Sequence, residues 1–280
     1  MAWLDNRRIR MRKLKKYSAN FKVMALGSSL IMCFLSSTAC HKEVAVAPNA
    51  VDSGDEKIAA AKIAEGDQLY EGREDMAKAR VAVAALRQAV TADYGNYDAA
   101  WKLSRAAFYV GNHTDSADEK DDMFRAGIEA GKAAVKLQGG KPEGHFWLGA
   151  NYGGDAENST LASLAAVQDI RSEMETVLKL DEKFQGGSAY LALGRVYLQA
   201  PKVLGGDTAK AIDYLKKGLA ITPNNSLMKY YLAQAYESEH RDAEAKKLID
   251  EVLTMTPDPK FVAEHKDAVA KANKLKQKIG

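Results

Sequence analysis

Few residues in this chain could do chemistry, and their spacing decides against most of it. The histidines are His41, His113, His145, His240 and His265. No two lie within one helical turn, so no helical pair is placed to grip a metal. The run from His113 to Asp122 carries Asp115, Asp118, Glu119, Asp121 and Asp122, enough oxygen to surround a hard cation. It lacks the EF-hand spacing, with no Gly at the turn position and no Glu at the end. These carboxylates suit a solvated loop between helices and the start of the next helix, where the helix dipole favours acids. Carboxylate pairs for acid–base work need apolar walls. Asp169, Glu173 and Glu175, the Asp181-Glu182 pair, and Asp242 with Glu244 sit instead among charged neighbours. The chain has no Gly-x-Ser-x-Gly elbow, P-loop, Gly-x-Gly-x-x-Gly or His-Glu-x-x-His. The expectation is a protein that binds, with no catalytic residue, no metal and no cofactor.

Cysteine use points the same way. Of the two cysteines, Cys33 lies in an apolar stretch from Val23 to Ala39, and Cys40 follows Leu35-Ser-Ser-Thr-Ala39. A basic run, Met11 to Lys16, precedes that stretch. A basic region, an apolar region and small residues before a cleavage point make a secretory signal. Thr38-Ala39-Cys40 resembles a bacterial lipobox, with Ser37 where that pattern has Leu, Val or Ile. Residues 1–39 are therefore expected to be a lipoprotein signal and Cys40 the lipidated residue. Met11 is a second candidate start, because the stretch before it is long for a signal. Cleavage before Cys40 would leave one cysteine, already acylated. That excludes an intrachain disulfide, a cysteine nucleophile and a cysteine metal site. The resemblance also implies an address: without Asp after Cys40, the outer membrane is favoured over the inner. Residues 40–56 read as the lipidated Cys and a flexible tether.

The formal charge of +3 is set by that leader. Residues 1–39 hold eight bases and one acid, so 32 bases and 36 acids remain and the body carries −4. Such a body lacks the positive footprint of a nucleic-acid binder. Hydrophobic residues at 46% and charged residues at 28% describe ordinary globular material. Aromatics at 8%, six prolines and abundant Ala favour helix over a β-sandwich.

The elements that must position any site follow from an internal repeat. Ala211, Leu215, Gly218 and Pro223 return 34 residues later as Ala245, Ile249, Val252 and Pro257. That is the period of tetratricopeptide helix–turn–helix units. Leu193-Gly194 precedes Tyr197 as Leu232-Ala233 precedes Tyr236, and Leu148-Gly149 precedes Tyr152. In each the small residue lets two helices approach and the Tyr fills the space between them. Degraded copies run back through Trp101 and Phe108, then Gly66 and Leu69. The fold class is all-α: an α-solenoid of about five tetratricopeptide-like repeats over 57–257. A capping helix over 258–280 is expected to close it, since solenoids need polar ends. Glycine pairs 139–140, 153–154, 186–187 and 205–206 mark the loops that lengthen the units.

Two stretches go beyond a generic repeat: Pro142-Glu-Gly-His-Phe-Trp-Leu-Gly-Ala-Asn-Tyr-Gly153 and Leu198-Gln-Ala-Pro-Lys-Val-Leu-Gly-Gly-Asp-Thr-Ala-Lys-Ala211. Together they resemble the T-component family of TRAP transporters, periplasmic tetratricopeptide-type lipoproteins. The resemblance implies a periplasmic, lipid-anchored protein whose partner is the substrate-binding P-component. It also implies a homotrimer with a pore, and a hydrophobic or organic-acid ligand. The alternative is a scaffold lipoprotein for outer-membrane or cell-wall assembly.

On the same resemblance the first helix of each unit lines the concave face. Its inward positions are then Lys102, Tyr109, Phe146, Arg195, Gln199, Tyr230, Gln234 and Glu237, with Trp147 either core or groove. These are the candidate ligand- and partner-binding residues. Arg195 has fork geometry for a carboxylate, or pairs with Asp213 or Glu237. Trp101, Tyr152, Tyr190, Tyr197 and Tyr236 are expected in the core, and His145 as a satisfied interface histidine.

Overall fold

In the computed structural model, residues 53–280 apart from 159 and 258–260 are described. The signal, Cys40 and most of the tether lie outside them. The helices pair through their apolar stripes, and five of them open on a polar cap. The first unit is α1 (Ser53–Glu71) and α2 (Met76–Ala92); the second is α3 (Tyr97–His113) and α4 (Ala117–Gln138). The third is α5 (Pro142–Asn158) and α6 (Thr160–Leu180); the fourth is α7 (Ser188–Gln199) and α8 (Thr208–Ile221). The fifth is α9 (Ser226–Ser238) and α10 (Asp242–Thr254), and α11 (Val262–Ile279) follows. The described residues are thus five antiparallel pairs and a closing helix, the tetratricopeptide-like solenoid that the period predicts.

The helix starts follow local chemistry. Asp75, Asn96, Ser116, Asp207 and Asn225 each accept a backbone N–H of the first turn through the side chain, satisfying donors the helix cannot. Pro142 opens α5, where its missing N–H costs nothing. One boundary differs from expectation. Helix α1 starts at Ser53, so the last residues assigned to the tether are helical. Asp55 and Glu56 sit in its first turn, where acids suit the dipole.

Within a unit, the small residue of the signature does what its spacing requires. A Cβ on Gly194 would stand 2.6 Å from Leu215 Cγ, and one on Gly66 would stand 2.6 Å from Leu86 Cγ. Leucines of the second helix therefore seat directly on the backbone of the first. Between units, second helices pack on the next first helix, and first helices touch one another (α1 on α3, α3 on α5, α7 on α9). Among the described residues second helices make no comparable contact, so the first helices line the inner side. The apolar clusters follow one another along the array, the last two sharing Leu198. Leu86, Leu103 and Val110 lie in one, Ile170, Met174 and Leu193 in the next, and Leu215, Tyr231 and Ile249 in the last. Helix α11 packs on α9 and α10 and completes that last cluster with Ala268, Ala272 and Leu275.

Tyr190, Tyr197 and Tyr236 are buried as expected, while Trp101 and Tyr152 are only half-buried. Trp101 keeps its indole N–H on Asp98 at 2.9 Å at the surface.

Candidate functional site

The inner face carries two constellations. The first joins α1 and α3. Asp67 accepts from Lys102 at 2.5 Å and from Arg105 at 3.0 Å. The Arg105 guanidinium lies 4.0 Å from the Tyr70 ring and 5.0 Å from Trp101. Arg73 lies 4.8 Å from Tyr70 and 5.5 Å from Tyr109. Tyr70 meets Tyr109 edge-on at 6.0 Å, and Tyr109 stacks on His113 at 4.1 Å. Burial pushes the Tyr70 and Tyr109 hydroxyls above their ordinary pKa, so both stay protonated. The result is a wall of aromatic planes with Lys102 and Arg105 on Asp67, Arg73 beside the tyrosines, and Glu74 and Glu264 near enough to act on their hydroxyls. Lys102 and Tyr109, placed inward on the strength of the resemblance, lie in this constellation. Asp67, Tyr70, Arg73 and Arg105 were missed. The only sequence signal for two of them is Asp67 and Tyr70 standing three apart on one helical stripe.

The second constellation is a cleft of about 230 Å³ between α9 and α11. Tyr230, Gln234 and Glu237 line one side and Lys271, Lys274, Leu275 and Lys278 the other. Three predicted residues are thus brought together, by a helix read only as a cap. Its Lys271, Lys274 and Lys278 stand three and four apart, a stripe visible in the sequence once the partner helix is known. Burial raises the Tyr230 hydroxyl, with Tyr231 adding to it.

The remaining candidates lie elsewhere. Phe146 is only 8% exposed and packs on Trp147 at 5.0 Å and Phe184 at 5.4 Å. It belongs to the core of the third and fourth units and offers no binding surface. Trp147 is half-buried, 5.7 Å from Phe108. Gln199 is exposed at the end of α7. The Arg195 guanidinium lies 5.0 Å over Tyr231. Asp213 pairs with Lys217 at 2.8 Å and Glu237 with Lys278 at 2.7 Å. His145 meets two acceptors, Glu173 at 2.5 Å and the Gly139 carbonyl at 2.9 Å, which makes it an interhelical tie. The acidic run spans the α3–α4 turn, with Asp115, Asp118, Asp121 and Asp122 exposed and Glu119 held by Arg80. No group of three metal-ligating side chains forms among the described residues.

The loop from Pro201 to Asp207 is organised by a residue the sequence did not mark. Arg171 of α6, itself 8% exposed, donates to the carbonyls of Leu204 at 3.1 Å and Gly205 at 2.7 Å. It also lies 4.3 Å over the Tyr197 ring. Gly205 takes φ +80°, and a Cβ there would meet Arg171 at 2.8 Å. Gly205 serves this clamp, and Gly206 presses on the Ala200 carbonyl, which a Cβ would meet at 1.8 Å. Val203 stands at the loop tip, 91% exposed.

Solved structures share this fold. A thermophilic TPR protein from Thermus thermophilus superposes with a TM-score of 0.55 at 19% identity, over 77% of this chain and 98% of its own. PilF of Pseudomonas aeruginosa gives 0.53 at 17% identity, over 80% and 93%. MamA gives 0.50 at 19%, over 72% and 99%. These likenesses concern the fold alone. No curated protein matches the sequence. The profile of the TRAP transporter T-component family matches residues 100–278, a span that runs from the second unit through α11 and takes in both stretches that carried the resemblance. The chain therefore belongs to the TRAP transporter T-component family.

Proposed function

We propose that this protein works by binding and not by catalysis, as a periplasmic lipoprotein held to the outer membrane through Cys40. Its partner is the substrate-binding component of a TRAP transporter, and it handles a small ligand on the inner face. The observation that carries this reading is the family match across the second to fifth units and α11. The wall of Tyr70, Tyr109, Trp101, Arg73 and Arg105 supports it, because aromatic residues and Arg are enriched at protein interfaces. Lys102, Tyr109, Tyr230, Gln234 and Glu237 lie on helices of that inner side.

The test is mild crosslinking in whole cells, followed by purification of the full-length chain from solubilised membranes. A periplasmic substrate-binding protein should be recovered, and Tyr109→Ala with Arg73→Ala should reduce the yield severalfold. Recovery of cell-wall or outer-membrane assembly proteins, with no binding protein, would favour the scaffold reading. Native mass spectrometry of the same sample should show the trimer mass; a monomer would remove the pore.

A further inference from the structure

Exposed apolar residues are unevenly placed on this solenoid. First helices begin and second helices end at one edge, and the turns within units lie at the other. Eight large apolar residues are exposed among the described ones, and six belong to the first edge: Ile58, Tyr94, Leu137, Leu180, Phe261 and Val262. Val81 and Val203 lie toward the other. Single exposed apolar residues are ordinary, but a run of them along one edge marks an interaction surface. The run is also periodic. Tyr94, Leu137, Leu180 and Pro223 stand 43 residues apart, each in or beside the turn that ends a unit. Each of the first four units therefore turns an exposed apolar residue to the same edge.

Charge selects the occupant. Lys136 precedes Leu137 and Lys179 precedes Leu180. Both lysines are exposed, and neither is in an ion pair among the described residues. A Lys stem lies along apolar surface while its ammonium reaches outward. Lys beside Leu and aromatic side chains is the composition of elements that lie in a bilayer interface, and Tyr, as at the 75% exposed Tyr94, is enriched there. The acids of the same turns are engaged locally. Asp93 accepts from the Gly95 amide at 2.9 Å, Asp181 from the Lys183 amide at 2.9 Å, and Glu182 from the Tyr190 hydroxyl at 3.2 Å. The opposite edge is acidic, with Asp115, Asp118, Asp121 and Asp122 exposed around the α3–α4 turn. An anionic bilayer attracts the first edge and repels the second.

Connectivity points the same way. Helix α1 starts at this edge, at Ser53. Thirteen residues lead from Cys40 to Ser53, a reach of at most roughly 45 Å. The opposite edge stands a helix length, about 25 Å, farther off. A lipid on Cys40 would bring this edge to the membrane first.

We propose that the edge made by the turns after α2, α4 and α6 and by the start of α11 rests on an anionic phospholipid surface. Tyr94, Leu137, Leu180 and Phe261 enter the headgroup layer, and Lys136 and Lys179 meet its phosphates. A contact of this size orients an anchored chain and does not hold one by itself. It leaves the acidic edge and the loop of Val203 facing away from the bilayer. The inference rests on the anchor reading only for what brings the edge to the lipid; the contact is made by the solenoid itself.

The test places the full-length chain, purified from membranes, on vesicles of phosphatidylethanolamine and phosphatidylglycerol that carry a nitroxide-labelled lipid. A fluorophore on Gly140→Cys, where a Cβ meets nothing within 4 Å, reports this edge. One on Val203→Cys reports the other, and each is read against the unsubstituted chain. Quenching at Gly140→Cys should exceed that at Val203→Cys severalfold. Adding Tyr94→Ser, Leu137→Ser and Leu180→Ser, exposed changes that leave circular dichroism unaltered, should lower it to the Val203→Cys level. Equal quenching at the two sites, or quenching at Gly140→Cys that survives the three serines, would overturn the proposal. No quenching there, with crosslinking from the same site to a protein in cells, would overturn it in favour of a protein partner. Mass spectrometry of the same sample reads the acyl mass on Cys40, so failure of the anchor is seen apart from failure of the edge.

Discussion

Gly127 has no room for a side chain. An added Cβ would stand 2.0 Å from Asn151 Oδ1. Asn151, fully buried, donates to Ser104 O at 3.0 Å, Ser104 Oγ at 3.1 Å and Trp147 O at 2.7 Å. Ser104 in turn donates to the Gly127 carbonyl at 2.8 Å. One polar knot thus ties α3, α4 and α5. Gly127→Ala is expected to cost about 2 kcal/mol through overpacking, and Asn151→Ala about 1–3 kcal/mol through the groups it leaves unpaired. The double variant should cost less than the two together, because removing Asn151 vacates the space. Urea unfolding of the four proteins checks this. A second residue-scale outcome concerns Glu119, whose side chain is 24% exposed. Two hydrogen bonds from Arg80, at 2.6 Å and 2.9 Å, and one from Thr114 pull its carboxyl from 4.5 to about 2. A carboxyl depressed in the folded state stabilises it above the unfolded value and loses that contribution as pH falls. Wild type should exceed Glu119→Gln by about 1 kcal/mol at pH 6. The gap should shrink between pH 4.5 and 2 and be absent below, in acid unfolding series of both.

At the scale of elements, the loop before α8 and the closing helix carry the tests. The amide of Gly206 donates to Pro201 O at 3.0 Å and that of Asp207 to Tyr197 O at 2.8 Å, in a loop held from outside by Arg171. Arg171→Leu strands two carbonyls and should destabilise the fold by about 1–3 kcal/mol. Hydrogen exchange should accelerate first at Gly206 and Asp207; unchanged protection there would show that the loop holds itself. Helix α11 covers Tyr231, Leu232 and Ile249, which are nearly fully buried. A chain ended at residue 257 would expose this apolar surface and is expected to aggregate, as uncapped solenoids do. A soluble, monodisperse truncation by light scattering would mean that the fifth unit needs no cover.

For the whole molecule, the cores hand over from unit to unit, so stability is expected to be spread along the array. Attachment is a separate matter, because no helix among the described residues is long and apolar enough to cross a membrane. If Cys40 is acylated, Cys40→Ala should move the chain from the membrane pellet to the soluble fraction with its helix content unchanged. A variant that stays in the pellet would assign attachment to a route other than acylation.

The units were legible because their signals are local. Caps such as Asn96 and Asp207 act on the next turn, and the 34-residue return of Ala211 as Ala245 reports packing repeated by every unit. Glu119 at the start of α4 followed from the same short range. The site was legible only in part. Phe146 and Trp147 are neighbours, and one residue on a helix turns the side chain by about 100°. Small rotations of a lengthened unit therefore decide which one faces the core. Arg171 reaches the Gly205 carbonyl across 34 residues, and Asn151 reaches Ser104 across 47. Lys271, Lys274 and Lys278 meet Tyr230, Gln234 and Glu237 only because α11 folds back on α9. The class, the pairing of helices and the family were written in the order of residues along the chain. The clamp and the cleft belong to the tertiary structure, since both are made by side chains that no short-range pattern brings together.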